Sequence, residues 1–234
     1  MFKIKPAWRL LEVARELHIS PSMAHRLLNT LEAMGFVTRD DHSKIYRLGP
    51  HMLELGMIAR DHWLGSEIQL RLQELTVRTG EASLYTVRQG LNSVCVAIQE
   101  SHHTVTMTAR VGRVTPLYAG ASNTPLLAFL PDTVLEAILP KLEIRPLGPQ
   151  SPKDEVELRK RLEQIREQGY AISDQEVEVG IAAMGVAIRD QGGDLIGCLS
   201  IAGPRERLLG ERKDEYLTTL LHIANRPMIS KGGI

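Results

Sequence analysis

The side chains best suited to contact a nucleic acid recur on one face of the segment Ser20–Phe36. Ser22, Arg26 and Asn29 are three or four residues apart, and His25 lies at the flank of the same face. They supply hydrogen-bond donors, acceptors and one fixed positive charge. DNA phosphates need the charge, and base edges in the major groove need the hydrogen-bonding groups. The spacing favours a DNA-binding helix, although an ordinary amphipathic surface helix would show a similar pattern.

Three carboxylates alternate in the segment SDQEVEVG, at Asp174, Glu176 and Glu178. Closely spaced carboxylates can serve acid–base catalysis or bind a metal ion. Near a turn they are more often solvated or bonded to backbone N–H groups, and we adopt this interpretation. The adjacent pair His102–His103 would point to opposite faces of a strand, which disfavours a shared metal ion. No catalytic residue and no metal ligand is therefore predicted.

The polar face needs a helix, and the residues around it supply signals for both helix ends. Ser20 is a good N-cap, Pro21 suits the first helical position, and Gly35 suits a left-handed C-cap. The apolar residues at helical spacing predict a buried stripe. This stripe comprises Ala24, Leu27, Leu28, Leu31 and Met34.

A second amphipathic helix is predicted just upstream, over Leu11–Leu17. Because His18–Ile19 makes a very short connection, the two helices are typical of a helix-turn-helix. Downstream, strands predicted at Phe36–Arg39 and Ile45–Leu48 flank a polar turn and form a hairpin, or wing. The residues predicted to contact DNA from the helix and the wing are Ser20, Ser22, Met23, His25, Arg26, Asn29, Lys44, Tyr46 and Arg47.

Several segments of the sequence resemble those of a known family. RLLNTLEAMGFVTRD followed by YRLGPHMLELG is similar to the winged helix-turn-helix of the isocitrate lyase regulator (IclR) family of bacterial transcription factors. Three later blocks occur in the family's order: VGRVTPLYAGASNTPLLAFLP, IREQGYAISDQEVEVGIAAMGVAI and GCLSIAGPRERL. The resemblance runs from Leu10 to the C-terminus. It implies a C-terminal GAF-like effector-binding domain.

The resemblance also implies which residues surround a small-molecule effector. They are Met107, Ala121, Ser122, Asn123, Ser173, Asp174, Ile181, Ala183, Cys198 and Ser200. Ala121 and Ser122 are predicted to enter a helix over Ser122–Leu130, whose free N–H groups and dipole favour an anion. Asn123–Thr124 stands where the family commonly has Gly–Lys, so the identity of the ligand does not transfer. The expected effector is a small organic acid, and no cofactor is expected.

The chain is expected to comprise three parts: a winged helix-turn-helix at 1–49, a linker helix at 50–64, and the effector domain at 65–234. Leu53, Met57 and Ile58 form an apolar face on the linker helix, and Gly65 should break it. Strands, then helices, then strands again predict an α+β domain with an antiparallel sheet. The strands are predicted at Ala82–Val87, Ser93–Ile98, Val105–Arg110, Thr115–Tyr118, Tyr170–Ser173, Gly185–Arg189 and Leu195–Ala202.

The start of the chain departs from the family pattern. A winged helix normally has a helix before the Leu11–Leu17 element, but here few residues precede it and Pro6 is among them. We therefore expect this first helix to be shortened or missing.

The length and composition of the chain limit the kind of protein that it can be. With 234 residues, 43% of them hydrophobic, one or two globular domains are expected. No run of eighteen apolar residues occurs, so no membrane span is predicted. Two cysteines do not make a disulfide scaffold, and a cytoplasmic location is expected. The net charge is zero, but residues 1–50 contain eight Lys and Arg against five Asp and Glu. This asymmetry fits a basic DNA-binding part joined to an acidic second part.

Together these observations predict a transcriptional regulator that binds double-stranded DNA as a homodimer or homotetramer and responds to a small organic acid. Enzymatic activity is not expected, because no P-loop, GxSxG or HExxH motif occurs. Two alternatives remain open. One is a ligand-binding sensor with a degenerate DNA module, and the other is a small-molecule enzyme that uses the cavity of the second domain.

Overall fold

The structure, a computed structural model, describes residues 1–2, 5–105 and 109–227, without the side chains of residues 61–63. The chain divides into two compact units, Met1–Asp61 and His62–Ile234. The first unit has a small hydrophobic core of its own, and the second has two larger apolar clusters.

The first unit contains a helix-turn-helix. Helix α1 spans Leu10–Glu16 and helix α2 spans Pro21–Ala33. The Ser20 hydroxyl accepts a hydrogen bond from the backbone N–H of Met23 at 3.2 Å, which confirms the predicted N-cap. Gly35 follows α2 with a φ of 74°, the left-handed conformation expected of a C-cap glycine.

A three-stranded antiparallel sheet completes the first unit. Its strands are β1 (Trp8–Arg9), β2 (Val37–Arg39) and β3 (Ile45–Leu48), with β3 in the centre. The hairpin of β2 and β3 is the predicted wing. Strand β1 pairs with the edge of β3 that β2 leaves free, and this pairing places Trp8 opposite Tyr46. Both rings are buried in the core, which also contains Val13, Ala24, Leu28 and Val37.

The apolar stripe predicted for α2 is only partly buried. Ala24 and Leu28 are enclosed, whereas Leu27 is 41% exposed and Met34 is 58% exposed. The reason is the size of the surrounding elements. Helix α1 has seven residues and the strands have two to four, so they cover a narrower arc of α2 than the five-residue stripe spans.

Helix α3 spans Pro50–Thr79 and is interrupted at Gly65, which has a φ of 52° and a ψ of 154°. Glycine adopts such a conformation without a steric cost, and the predicted break is confirmed. Before the break, in the first unit, the predicted apolar face is uncovered. Leu53 is 69%, Met57 52% and Ile58 61% exposed.

The second unit is built on a six-stranded sheet in which every neighbouring pair is antiparallel. The strands are β4 (Ala82–Gln89), β5 (Asn92–Gln99), β6 (Val114–Pro116), β7 (Ala171–Asp174), β8 (Ile181–Arg189) and β9 (Leu195–Pro204). Their order across the sheet is β6-β5-β4-β9-β8-β7. The α+β class with an antiparallel sheet is confirmed.

Helices cover both faces of this sheet. Those after α3 are α4 (Thr124–Ala128), α5 (Asp132–Ile138), α6 (Glu155–Gln168), α7 (Arg205–Leu208) and α8 (Lys213–Ala224). On one face, Leu72 and Leu75 of α3 pack with Tyr216 and Leu220 of α8 against the sheet. On the other face, α4 to α6 and the segment 117–121 form a second apolar cluster. In the part of the chain that the structure describes, no helix combines the length and apolarity needed to cross a membrane.

Three local predictions differ from the structure near this second cluster. Val105, Ala109 and Arg110 lie outside the strands, and residues 106–108, the rest of the strand predicted there, are outside the described residues. Strand β6 begins at Val114 and ends at Pro116, earlier than predicted. The helix predicted over Ser122–Leu130 shrinks to five residues that begin at Thr124. Gly120, with a φ of 88°, instead forms a turn before it.

Candidate functional site

The polar face of α2 is exposed, as a DNA-binding role requires. Ser22, Met23, His25, Arg26 and Asn29 are all exposed. The side-chain amide nitrogen of Asn29 lies 3.4 Å from Nδ1 of His25. Ser20, also exposed, caps the helix through its hydroxyl. The helix therefore presents one charged and several hydrogen-bonding groups to solvent.

Two of the three contact residues predicted in the wing are exposed, and the third is buried. Lys44, with a φ of 54°, and Arg47 are exposed. Tyr46 is 1% exposed and belongs to the core, so phosphate cannot reach it in this structure. Its direction follows from the strand: Tyr46 alternates with Arg47, and one of the two must face inward. Arg39 stacks over the Tyr46 ring at 5.6 Å.

The tip of the wing is held by Asp40. Its carboxylate accepts hydrogen bonds from the backbone N–H of Ser43 at 2.6 Å and of His42 at 3.1 Å. These bonds, with that of the Ser43 hydroxyl, hold the pKa of Asp40 below its usual value. The ionised carboxylate of Asp40 therefore orders the turn.

The second unit contains a cavity of about 80 Å³ between the sheet and the segments that cover it. Six of the predicted effector residues line it: Ala121, Ser122, Asn123, Ser173, Ile181 and Ala183. They come from the turn before α4 and from β7 and β8. The sheet supplies further walls, among them Leu84 and Thr86 of β4 and Ser93 and Cys95 of β5.

Of the other four predicted residues, three are placed differently and one is not described. Ser200 is fully buried behind the wall, where its hydroxyl lies 2.8 Å from that of Ser122. Cys198 is fully buried and contacts the carbonyl oxygen of Ala121, away from the cavity. Asp174, expected to face the pocket, instead pairs with Arg205 at 2.7 Å. Met107 lies outside the described residues.

Close approach of the segment around Ala121 to the sheet depends on Gly185 of β8. A Cβ atom at this position would overlap the carbonyl oxygen of Ala121. The absence of a side chain therefore lets the turn before α4 lie directly on the sheet and close one end of the cavity.

The polar groups at this end are mostly satisfied by one another. The Ser93 hydroxyl donates to the amide oxygen of Asn123 at 2.5 Å, and the Asn123 amide nitrogen donates to Ala119 at 2.6 Å. Among the described residues, nothing accepts a hydrogen bond from the backbone N–H of Ala121 or Ser122. Helix α4 has only five residues and begins after these two, so it does not supply them with the dipole effect predicted for a helix over Ser122–Leu130.

Four charged residues also line the cavity, and sequence analysis assigned none of them to it. Glu176 accepts hydrogen bonds from the guanidinium of Arg161 at 2.5 Å and from the backbone N–H of Gly120 at 2.9 Å. The latter bond confirms the interpretation of this carboxylate. Glu178 pairs with Arg113 at 2.5 Å. Arg110 is the fourth.

Burial raises the pKa of two titratable groups of the wall. It raises the pKa of Glu176, an effect that the Gly120 N–H and Arg161 offset only in part. It also raises the pKa of the Cys95 thiol to about 11, so this cysteine stays protonated and is a poor nucleophile near neutral pH. Within the described residues, no group of three His, Cys, Asp or Glu side chains is arranged to hold a metal ion.

One signal in the sequence indicates part of the wall that was missed. Thr86 and Ser93 are polar residues on the core-facing side of otherwise apolar strands. A polar residue in the inward register of a strand marks either a hydrogen-bonded core position or a ligand site. Arg110 and Arg113 gave no comparable signal. Arg110 was predicted to end a strand and Arg113 lay in no predicted element, whereas both lie outside the strands of the structure.

Comparison with known proteins identifies both parts of the chain. Residues 59–229 match the family described as "Bacterial transcriptional regulator IclR C-terminal", and residues 5–41 match the "IclR helix-turn-helix domain". The chain is 32% identical to the HTH-type transcriptional regulator KipR of Bacillus subtilis, over 93% of this chain and 87% of KipR.

Two solved structures show the same architecture. The IclR protein of Thermotoga maritima is 30% identical and superposes with a TM-score of 0.73, over 95% of this chain and 91% of that one. An IclR homologue of Microbacterium hydrocarbonoxydans, solved in complex with 4-hydroxybenzoate, shares the fold with a TM-score of 0.78 at 23% identity, over 94% of this chain and 89% of that one.

Proposed function

This chain belongs to the IclR family of bacterial transcriptional regulators, and on that premise we propose that a small organic acid in the cavity controls how tightly α2 and the wing bind an operator. The chain has the family's DNA-binding helix-turn-helix and its ligand-binding C-terminal domain. The proposal adds the class of effector and the residues that contact each partner.

The observation that carries the proposal is the cavity beneath the turn before α4. Its volume of about 80 Å³ is well below the cavity of about 150 Å³ that accommodates benzene in an engineered protein. An acid of a few heavy atoms fits this space, whereas a ring such as that of 4-hydroxybenzoate needs the walls to move. The unpaired N–H groups of Ala121 and Ser122 supply donors for an oxygen atom of the ligand.

On the DNA side, we assign Arg26, Lys44 and Arg47 to phosphates, and Ser22 and Asn29 to base edges. The assignment follows from their exposure and from the chemistry of each side chain. Removing the Asn29 amide should cost about 1–3 kcal/mol at one base pair and leave other positions unchanged. A gel shift on DNA upstream of the protein's own gene, with single-base variants, tests this.

The effector claim is tested by thermal shift with ethanoate, propanoate, butanoate, 2-hydroxypropanoate and 4-hydroxybenzoate, each beside its primary amide. Stabilisation by at least one short acid, greater than by its amide, is expected. A flat response to every compound would leave the cavity without the proposed role. Because coupling is reciprocal, the binding acid must also change operator affinity by the factor by which operator DNA changes acid affinity.

Three further features complete the proposal. The exposed apolar face of Leu53, Met57 and Ile58 supports a homodimer or homotetramer, since such residues are usually covered by a partner. The protein acts in the cytoplasm, where bacterial DNA is.

It binds its ligand without turnover, and the relatives' names as transcriptional regulators support this. Recovery of unchanged acid after incubation with the protein is the measurement that checks the last statement.

A further inference from the structure

The charged side chains around the cavity do not balance. The carboxylate of Glu176 is matched by Arg161, and that of Glu178 is matched by Arg113, in both cases with atoms 2.5 Å apart. Arg110 is the remaining charged residue of the wall. Within the described residues it has no carboxylate partner. The cavity therefore has one uncompensated positive charge.

Arg110 is a solvent-exposed member of the cavity lining, whereas several other lining residues are apolar and buried. Of these, Leu84, Ala121, Ala183 and Ala202 are at most 8% exposed. A ligand with one charged end and a short apolar body matches this gradient from solvent to core.

We propose that Arg110 binds the carboxylate of the effector at the cavity and thereby restricts the effector to short monocarboxylic acids. The inference rests on the proposed function, because it names the residue that recognises the acid. A guanidinium suits this role because its planar fork of donors matches both carboxylate oxygens. The apolar end of the acid then lies against Ala121 and Ala183.

The same charge distribution disfavours a second anionic group. A dicarboxylate would bring one carboxylate to Arg110 and the other towards Glu176 and Glu178, whose positive partners are already engaged. Repulsion between like charges is stronger at a protein site than in bulk water. A neutral oxygen on the acid meets no such penalty, and the N–H groups of Ala121 and Ser122 can donate to it.

The orientation differs from the one predicted from sequence, in which the turn before α4 holds the carboxylate. That turn is followed by a helix of five residues only, and Glu176 already accepts the N–H of Gly120 within it. A second carboxylate placed there would lie beside the first. Arg110 offers a full positive charge without a competing anion.

The test measures binding of butanoate, 2-hydroxypropanoate, their amides, and butanedioate by calorimetry to the full chain. Variants Arg110→Gln and Arg110→Lys remove and retain the charge, respectively. Arg88→Gln, which alters an exposed arginine of the β4–β5 hairpin outside the cavity, is the matched control. Thermal melting of each variant without ligand confirms that it is folded.

Wild-type protein should prefer a monocarboxylate to its amide by about tenfold or more, the value of a hydrogen bond to a charged group. Arg110→Gln should abolish this preference by weakening acid binding while leaving amide binding unchanged. Arg110→Lys should retain part of the preference, and Arg88→Gln all of it. Butanedioate should bind more weakly than butanoate, and Glu178→Gln should narrow that difference by removing one repelling charge.

The outcomes separate the two proposals. If wild-type protein prefers the acid and Arg110→Gln does so equally, the role of Arg110 is wrong and the proposed function stands. Loss of acid and amide binding together in Arg110→Gln would also overturn the inference, because it would mean that the side chain shapes the cavity and does not select charge. If no acid binds wild-type protein, the proposed function fails and the inference with it.

Discussion

The hydroxyl oxygens of Ser122 and Ser200 lie 2.8 Å apart, although 78 residues separate them along the chain. One hydroxyl donates to the other, which leaves one hydrogen free. Ser122 lines the cavity, whereas Ser200 is fully buried behind it. The pair thus joins the turn before α4 to the central strand β9.

From this geometry we expect Ser122→Ala to weaken binding of a stabilising acid more than Ser200→Ala does. The first substitution removes the hydroxyl that lines the cavity, and the second removes only its support. Each should also lower the free energy of unfolding by about 1–3 kcal/mol, because a buried hydroxyl loses its partner. Calorimetric titration and urea unfolding of both variants provide the measurements. Equal effects on binding would contradict the assignment of Ser122 as the contacting group.

Arg26→Ala should weaken binding to all DNA sequences by a similar factor. It should also reduce the slope of log affinity against log salt by about one unit, because one phosphate contact is lost. Tyr46→Phe is the control: Tyr46 is buried, so affinity and salt slope should remain those of the wild type. Fluorescence anisotropy over a range of salt concentrations measures both quantities. An unchanged slope in Arg26→Ala would mean that α2 docks differently.

Ile58→Glu should dissociate the proposed homo-oligomer. Ile58 is 61% exposed within the apolar face of α3 before Gly65, and a charge there would be buried without a partner at an interface. Val77→Glu, on the same helix beyond Gly65 and 73% exposed, should leave this contact intact. Sedimentation velocity at micromolar concentration distinguishes the species. A wild-type protein that is already monomeric under these conditions would refute the proposed interface.

Gly185→Ala should lower the free energy of unfolding of the second unit by about 1–3 kcal/mol. The new methyl group would overlap the carbonyl oxygen of Ala121 and push the turn away from the sheet. Gly56→Ala, in the helical part of the first unit with nothing near its Cβ position, should instead stabilise by about 0.5–1 kcal/mol. Chemical denaturation, monitored by circular dichroism, measures the free energy of unfolding of the two variants and of the wild type. A neutral Gly185→Ala would show that the turn can move at no cost.

Glu176 should make the second unit less stable as pH rises. Burial raises its pKa above the usual 4.5, so the folded state holds this proton more tightly than the unfolded state. The contribution is therefore fully present below pH 4.5 and is lost as pH rises through the raised pKa. Glu176→Gln cannot ionise and should lack this component. Urea unfolding at successive pH values measures the difference between the two proteins, and parallel pH profiles would contradict the prediction.

Sequence analysis succeeded where local chemistry determines the structure. Ser20 and Gly35 end α2 as predicted because a cap depends on its immediate neighbours. Tyr46 was misplaced because the alternation of a short strand does not show which of its two sides faces the core until β1 and α2 are in position. The burial of Tyr46 is therefore determined by tertiary contacts and cannot be derived from the strand preference of the segment.

At the cavity, too, some residues were predicted correctly from the sequence, whereas others depend on tertiary contacts. Ala121, Ser122 and Ala183 were recovered through resemblance, and they do line it. Asp174 was not distinguishable from Glu176 by sequence, because its partner Arg205 lies 31 residues away and becomes its neighbour only when the start of α7 meets the end of β7 in the folded unit. Arg110 was missed because it was predicted to end a strand at Val105–Arg110, whereas in the structure it lies outside the strands.

The strand order of the second unit also has a consequence for its synthesis. The two central strands, β4 and β9, end at Gln89 and begin at Leu195, respectively, so the middle of the sheet cannot close until β9 has left the ribosome. Until then one edge of β4 has no native partner. Distant pairings of this kind slow folding and prolong exposure of a bare strand edge. The small first unit, whose contacts are local, is free to fold long before.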